Sequence, residues 1–360
     1  MSSEHEEIIS LTKDGFSLHS HKKRELDIAL ISLRIGLEAY YSTYSQVKQN
    51  FRVIESKAKS NGLKNFQEEI QISNYAKTYV ETIFHFQHFI EVSIEEILRQ
   101  EHTLLASLTG REHVILYKLL LEPKAVTEDE TEELFSIDFQ DSTARLIELI
   151  QKQKINNHQN MGFIKDAKTF LSQIGKLRNR LVHRGTFVLR YTALDIFVGK
   201  YAFPFVLGLL NLPIYKNNKF QWQPKRLHCK IDPKQEIINE FKAQKPSFKK
   251  IAFLKELARA AYVNPLQPQS KGIKIRETAK ENAEKDARKE LDDPEVIDIQ
   301  SCPVCGIKSL VRYWDTKPDS DTVEVSQLIC CCCSFWVDSE LSNVNFDGVD
   351  IQNYWQLPSQ

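Results

Sequence analysis

A chain of 360 residues is long enough for two domains, or for one large domain with an appendage. Basic and acidic residues number 48 each, so no global charge points to nucleic acid or a membrane surface, and only local asymmetry can. With 12 glycines, 12 prolines and 42% apolar residues, the composition favours helices around a sizeable core over a turn-rich β fold.

The polar, acidic start MSSEHEEIIS predicts no secretory leader, and hence a cytoplasmic protein. Residues 22–58 carry a helical stripe of Leu26, Leu30, Leu33, Leu37 and Tyr40, with a stop at Asn61-Gly62. A second long helix is expected from Phe66 to Leu108, with Tyr79, Ile83, Phe86, Ile90, Ile94 and Ile97 on one side and Thr109-Gly110 at its end. Shorter helices follow at 111–122, 127–135 and 141–155, the first two separated by Pro123. From Gly162 to Arg184 a helix buries Phe170, Ile174, Leu177 and Leu181, and Gly185 stands where a C′ glycine would close it. The apolar run that follows, 187–211, is interrupted by Asp195, Lys200 and Pro204, which marks a buried helix rather than a membrane span. Residues 1–215 thus read as one all-helical bundle.

Residues 216–265 form a basic, aromatic-containing extension. Between 216 and 259 twelve basic side chains, Lys225 and Arg226 among them, face four acidic ones, interleaved with Phe220, Trp222, Phe241, Phe248 and Phe253. Such a stretch can hold a phosphate backbone and stack on bases, or it can be a surface extension whose aromatics pack on the bundle. Residues 266–298 have the composition of a charged linker helix stiffened by i,i+4 pairs such as Glu281–Lys285.

Six of the seven cysteines fall between positions 302 and 333. The odd total argues against a disulfide framework and for reduced, metal-binding thiols. Cys302-Pro-Val-Cys305 and Cys330-Cys-Cys-Cys333 are two C-x-x-C knuckles, and knuckles of this spacing let four thiolates converge tetrahedrally on one zinc ion. Strands are expected at 309–314 and 322–329, joined by a polar turn. The arrangement over residues 299–345 resembles a zinc ribbon, followed by a tail at 346–360. Cys331 and Cys332 are then spectators that could substitute as ligands, and Ser334 stands where ribbons commonly have Gly. Four protein ligands make a closed, structural site, with no chemistry at the metal.

The segment Lys176-Leu-Arg178-Asn179-Arg180-Leu-Val-His183-Arg184 places Asn179 and His183 on one helical face, with Arg178 one step round and Lys176, Arg180 and Arg184 beside them. A histidine titrating near neutrality can move a proton, an arginine can hold a phosphate in bidentate fashion, and an asparagine can orient either. The segment resembles the R-x(4–6)-H signature of the HEPN superfamily, in its Arg-Asn-x-x-x-His form. That resemblance implies a homodimer with a composite cleft and metal-independent RNA cleavage, in antiviral defence or a toxin system. By position, Arg178 would bind phosphate, Asn179 would accompany it and His183 would be catalytic; Glu91, Glu95 and Glu96 are candidate acidic helpers. The competing expectation is a non-catalytic dimerising adaptor whose ribbon binds nucleic acid or a partner protein. His85 and His88, near Glu81 and Glu91, have spacings that suit either a metal or a partly buried polar face. The overall expectation is a mainly α protein: a HEPN-like bundle, a charged linker and a small β zinc ribbon, with no membrane partner.

Overall fold

The computed structural model describes residues 27–59, 72–108, 113–123, 126, 127, 130, 136–185, 187–216, 218–224, 226–266, 273–316 and 322–358. The turn signals at Asn61-Gly62 and Thr109-Gly110, most of the helix expected at 127–135, Lys225 and the turn between the two ribbon strands lie outside them. Within the described residues the fold is mainly helical, with one small four-stranded antiparallel sheet towards the C-terminus.

Two helices form the spine. Helix α1 (Ile28–Val47) is started by Asp27, whose carboxylate accepts the amides of Ala29 and Leu30 at 2.9 and 3.3 Å. It buries Leu30, Leu33, Leu37, Tyr40, Tyr41 and Tyr44. Helix α2 (Phe51–Lys59) continues from it, and α3 (Ile72–Glu101) lies along it with Tyr79, Ile83, Phe86, Ile90 and Ile94 fully buried. Helices α4 (His113–Leu121) and α5 (Phe139–Gln151) follow. The helix expected from Gly162 breaks at Ala167 into one short turn and α6 (Lys168–Arg184), which packs on α3 and α5. Gly185 closes α6 with φ +62°, and its amide reaches the Arg180 carbonyl at 3.1 Å.

Helix α7 (Tyr191–Leu210) is long and apolar enough to cross a membrane by length and composition, yet 56% of that window is buried inside this fold. Its middle, Phe197–Ala202, widens into a π-helical turn. A Cβ on Gly199 in that turn would come within 2.3 Å of the Phe241 ring, so the turn is where α8 (Pro233–Lys242) seats itself.

Helix α9 (Phe248–Val263) is buried over most of its length and packs on α1. It carries Lys255 into the interior, where Nζ donates to Asp195 at 2.6 Å and lies 4.6 and 4.1 Å from the Tyr40 and Tyr191 rings, with both charged side chains 0% exposed. Burial raises the Asp195 carboxyl and lowers Lys255 to about 8, so each partner resists its charged form and depends on the other. The basic stretch therefore divides. Lys255, Phe253 and Trp222 belong to the core, Phe241 and Phe248 pack against it, and Phe220 remains exposed.

Helix α10 (Ile273–Glu290) turns Ala283 and Ala287 inward against the sheet, and the Tyr313 hydroxyl donates to Glu290 at 2.8 Å. Strands β1 (Val296–Ser301), β2 (Lys308–Thr316), β3 (Val323–Cys330) and β4 (Trp336–Asp338) are hydrogen-bonded in chain order. The β2–β3 ladder runs from Leu310 opposite Cys330 to Thr316 opposite Val323, with one bulge after Tyr313. Buried Arg312 ties the sheet to the C-terminal segment, bonding Asp298 at 2.7 Å and the Tyr354 carbonyl at 3.3 Å.

The sheet sits directly on the bundle. Phe335 is fully buried with its ring 5.9 Å from that of Phe253 in an edge-on arrangement. Lys48, at the end of α1, lies 3.4 Å over the Trp336 ring and 3.8 Å from Asp338. Glu256 takes the Trp336 amide at 2.8 Å and both ends of the Arg259 guanidinium at 2.7 Å. The charged stretch 266–298 thus joins parts that pack on one another.

Candidate metal centre and helix-end cluster

The four sulfurs of Cys302, Cys305, Cys330 and Cys333 all lie within 4.8 Å of one another. Cys302 and Cys333 are 3.6 Å apart, Cys305 and Cys330 3.7 Å. A disulfide would need about 2.05 Å. A tetrahedron of thiolates about 2.3 Å from one ion has edges of roughly 3.8 Å, which these two pairs match. The residues present therefore fit one tetrahedral metal ion.

Both knuckles are built alike. In the first, Gly306 returns its amide to the Cys302 carbonyl at 2.9 Å, and Cys302 donates to Ile307 at 2.9 Å. In the second, Ser334 returns to Cys330 at 3.1 Å, and Cys330 donates to Phe335 at 2.8 Å. The residue after each second cysteine is left-handed, Gly306 at φ +76° and Ser334 at φ +58°. Ser334 thus does a glycine's work at some conformational cost. Its carbonyl accepts a short hydrogen bond from Arg259, which fixes the turn from the bundle side. Gly306 has a second reason to lack a side chain, because a Cβ there would stand 2.7 Å from the His228 ring.

Donors reach the sulfurs as well. The Val304 amide lies 3.4 Å from Cys302 Sγ, the Cys332 amide 3.4 Å from Cys330 Sγ, and the Ser309 hydroxyl 3.3 Å from Cys330 Sγ. Such N–H and O–H contacts are what stabilise thiolate ligands and fix their orientation. The thiols also perturb one another: hydrogen bonds with Cys302 pull Cys305 and Cys330 down, while burial pushes Cys302 up. Cys331 is exposed and held up at about 11 by partial burial, and Cys332 is buried outside the group of four. Among the described residues this is the only set of three or more His, Cys, Asp or Glu side chains close enough to hold an ion.

Both His85 and His88 turn Nδ1 to the Ser32 hydroxyl instead, at 2.8 and 3.0 Å, which is the polar-face arrangement. Burial raises the Cys229 thiol above its ordinary value.

The second candidate cluster lies at the open end of α6. Arg178 is half-buried, 5.9 Å from the Phe84 ring, and its Nη1 donates to Asn179 Oδ1 at 3.2 Å. Its Nε is buried without a hydrogen-bond partner. Asn179, His183, Lys176, Arg180 and Arg184 are exposed, and the Arg180 guanidinium lies 5.0 Å from the Phe187 ring. Of the candidate acidic helpers, Glu95 pairs with Arg99 at 2.5 Å and Glu91 accepts from Gln87 at 3.0 Å. The α3 residue that meets Arg178 is Phe84, about two turns before Glu91. Arg226 is exposed in the loop before α8, on a different element from the α6 cluster.

Sequence reasoning missed the contacts that seat the metal centre: Ser309, Glu256, Arg259 and Lys48. Each depends on a partner far along the chain, and no local pattern announces it. In comparisons with known proteins, no family model, no curated protein and no solved structure matches this chain.

Proposed function

We propose that this protein is a metal-independent endoribonuclease of the HEPN type, acting as a homodimer, with a structural zinc ion in the ribbon. The reading is carried by the Arg178, Asn179 and His183 set at the open end of α6, where Arg178 and Asn179 are already hydrogen-bonded and His183 is free to reach a substrate.

The reaction would be attack of a ribose 2′-hydroxyl on the adjacent phosphate, breaking the bond to the 5′-oxygen of the next nucleotide and leaving a 2′,3′-cyclic phosphate and a 5′-hydroxyl. His183 would take or give the proton, and the Arg178 guanidinium would offset charge growing on the phosphate oxygens. Lys176, Arg180 and Arg184 form a basic margin along which an RNA backbone would lie. Such a cleavage needs a general base and a general acid, and the α6 cluster of one chain offers a single histidine. Two copies facing each other would supply both roles, and this is the physical case for the dimer.

Zinc is favoured in the ribbon because an all-thiolate tetrahedral site selects soft ions and zinc is the redox-silent one. A structural ion there leaves the chemistry to the side chains of α6. A setting in antiviral defence or a toxin system rests on the resemblance alone.

Incubation of purified protein with total cellular RNA in EDTA, wild type beside His183→Ala, tests this reading. Cleavage by the wild type and a loss of about two to four orders of magnitude in the variant are expected. Equal cleavage by both would refute it. Absence of cleavage by both would favour the second reading, a non-catalytic dimerising adaptor whose ribbon binds nucleic acid or a partner protein. One observation favours that alternative: Arg178 is partly spent on Asn179 and Phe84.

A further inference from the structure

We propose that the cavity between α1, α9 and the loop leading into α8 is a binding site for a small phosphomonoester of about sugar-phosphate size. The cavity measures about 300 Å³, and Tyr41, Arg226, Lys230, Asp232, Lys234 and Tyr262 are among the residues lining it. It lies on elements that carry neither the metal centre nor the α6 cluster.

Two observations set the ligand class. Arg226 and Lys230 are exposed at the rim and have no ion-pair partner among the described residues. Lys234 pairs with Asp232 at 3.1 Å and lies 5.4 Å from the Trp222 ring. Three cations against one carboxylate leave two positive charges, the complement of a phosphomonoester that is largely a dianion at neutral pH. A phosphodiester or a simple carboxylate brings only one charge.

The floor is aromatic: the Tyr41 and Tyr262 rings are stacked with centroids 6.0 Å apart and planes 28° from parallel. The Tyr262 hydroxyl is spent on the Trp222 carbonyl at 2.8 Å. The Tyr41 hydroxyl, with the residue 1% exposed, has no hydrogen-bond partner. That hydroxyl is itself buried, so the Tyr41 ring offers the ligand a wall rather than a hydrogen bond. The rim is also held in place. His228 and Cys229 donate their amides to the Val304 and Pro303 carbonyls of the first knuckle at 3.1 and 2.8 Å, which leaves the cationic loop little freedom to lose on binding.

Titration calorimetry of the full chain at low ionic strength, with ribose 5-phosphate, inorganic phosphate and ribose as probes, tests the site. Ribose 5-phosphate should bind saturably, at least about 10-fold tighter than ribose and several-fold tighter than inorganic phosphate. Replacing both Arg226→Gln and Lys230→Gln should weaken it about 10-fold or more. Both cations are exposed and unpaired, so the double variant should keep its fold; Arg226→Gln alone serves if it does not. No saturable binding of ribose 5-phosphate would overturn the proposal, as would equal binding of ribose, no preference over inorganic phosphate, or unchanged affinity in the variants. The readout involves no RNA cleavage, so the ribonuclease reading and this one fail separately.

Discussion

The metal centre and the helix-end cluster are both sets of polar side chains picked out by spacing, and they end in opposite surroundings. The four cysteines are enclosed by the sheet, by donors to their sulfurs and by the bundle surface, so everything the ion needs is supplied by one chain. The Arg178, Asn179 and His183 set lies open, with one internal hydrogen bond and a buried guanidinium nitrogen left over. A closed site stores its free energy in folding, whereas an open one reserves it for whatever arrives.

Removing the metal should give the largest effect. Structural tetrathiolate sites contribute on the order of 10 kcal/mol to the fold around them, so chelation or Cys302→Ser should unfold the sheet and destabilise the bundle that α9 shares with it. Loss of one equivalent of metal without any change in near-ultraviolet circular dichroism would break the contrast.

Next comes the buried pair on α7 and α9. Asp195→Asn leaves Lys255 buried without its carboxylate, so that it must stay charged unpaired or give up its proton, and should cost about 3–5 kcal/mol in urea unfolding, while the double change Asp195→Asn with Lys255→Met should recover most of that. The pair also has a pH signature. Burial holds Lys255 near 8, below its ordinary 10.5, so from about pH 8 to 10.5 the unfolded chain binds more protons at this residue. Stability from this group therefore rises with pH across that window. The wild type should gain on the double variant between pH 8 and about pH 10, and a loss would contradict the assignment.

The smallest effects belong to exposed groups. His183→Ala should shift stability by no more than about 0.5 kcal/mol, which makes any loss of cleavage interpretable as chemistry. Cys331→Ser should be similarly silent and leave metal stoichiometry at one, because Cys331 stands outside the four converging sulfurs. A lowered metal content in that variant would reassign a ligand.

What the sequence revealed follows the same division. The knuckle spacing was legible because two thiols three apart face one ion whatever surrounds them. The spine was legible because Leu30, Leu33, Leu37 and Tyr40 recur with the helix period and are all buried. Strand β1 was hidden at the end of a charged stretch, and β4, three residues long, is too short for alternation to show. Lys255 counted only as one of the twelve basic residues of its stretch, since its partner lies 60 positions away and nothing nearby predicts the pairing. The packing of Phe253 on Phe335 joins two segments that looked independent.

That last contact, with the Lys48, Glu256 and Arg259 bridges, changes how the molecule should come apart. Parts strung on a tether give separate calorimetric peaks, each with its own enthalpy. Here the apolar side of the sheet and the outer side of α9 are one another's solvent shield, so neither can open without wetting the other. The protein should absorb heat as a single cooperative unit, and a protease cutting within 266–298 would release no piece able to stand alone.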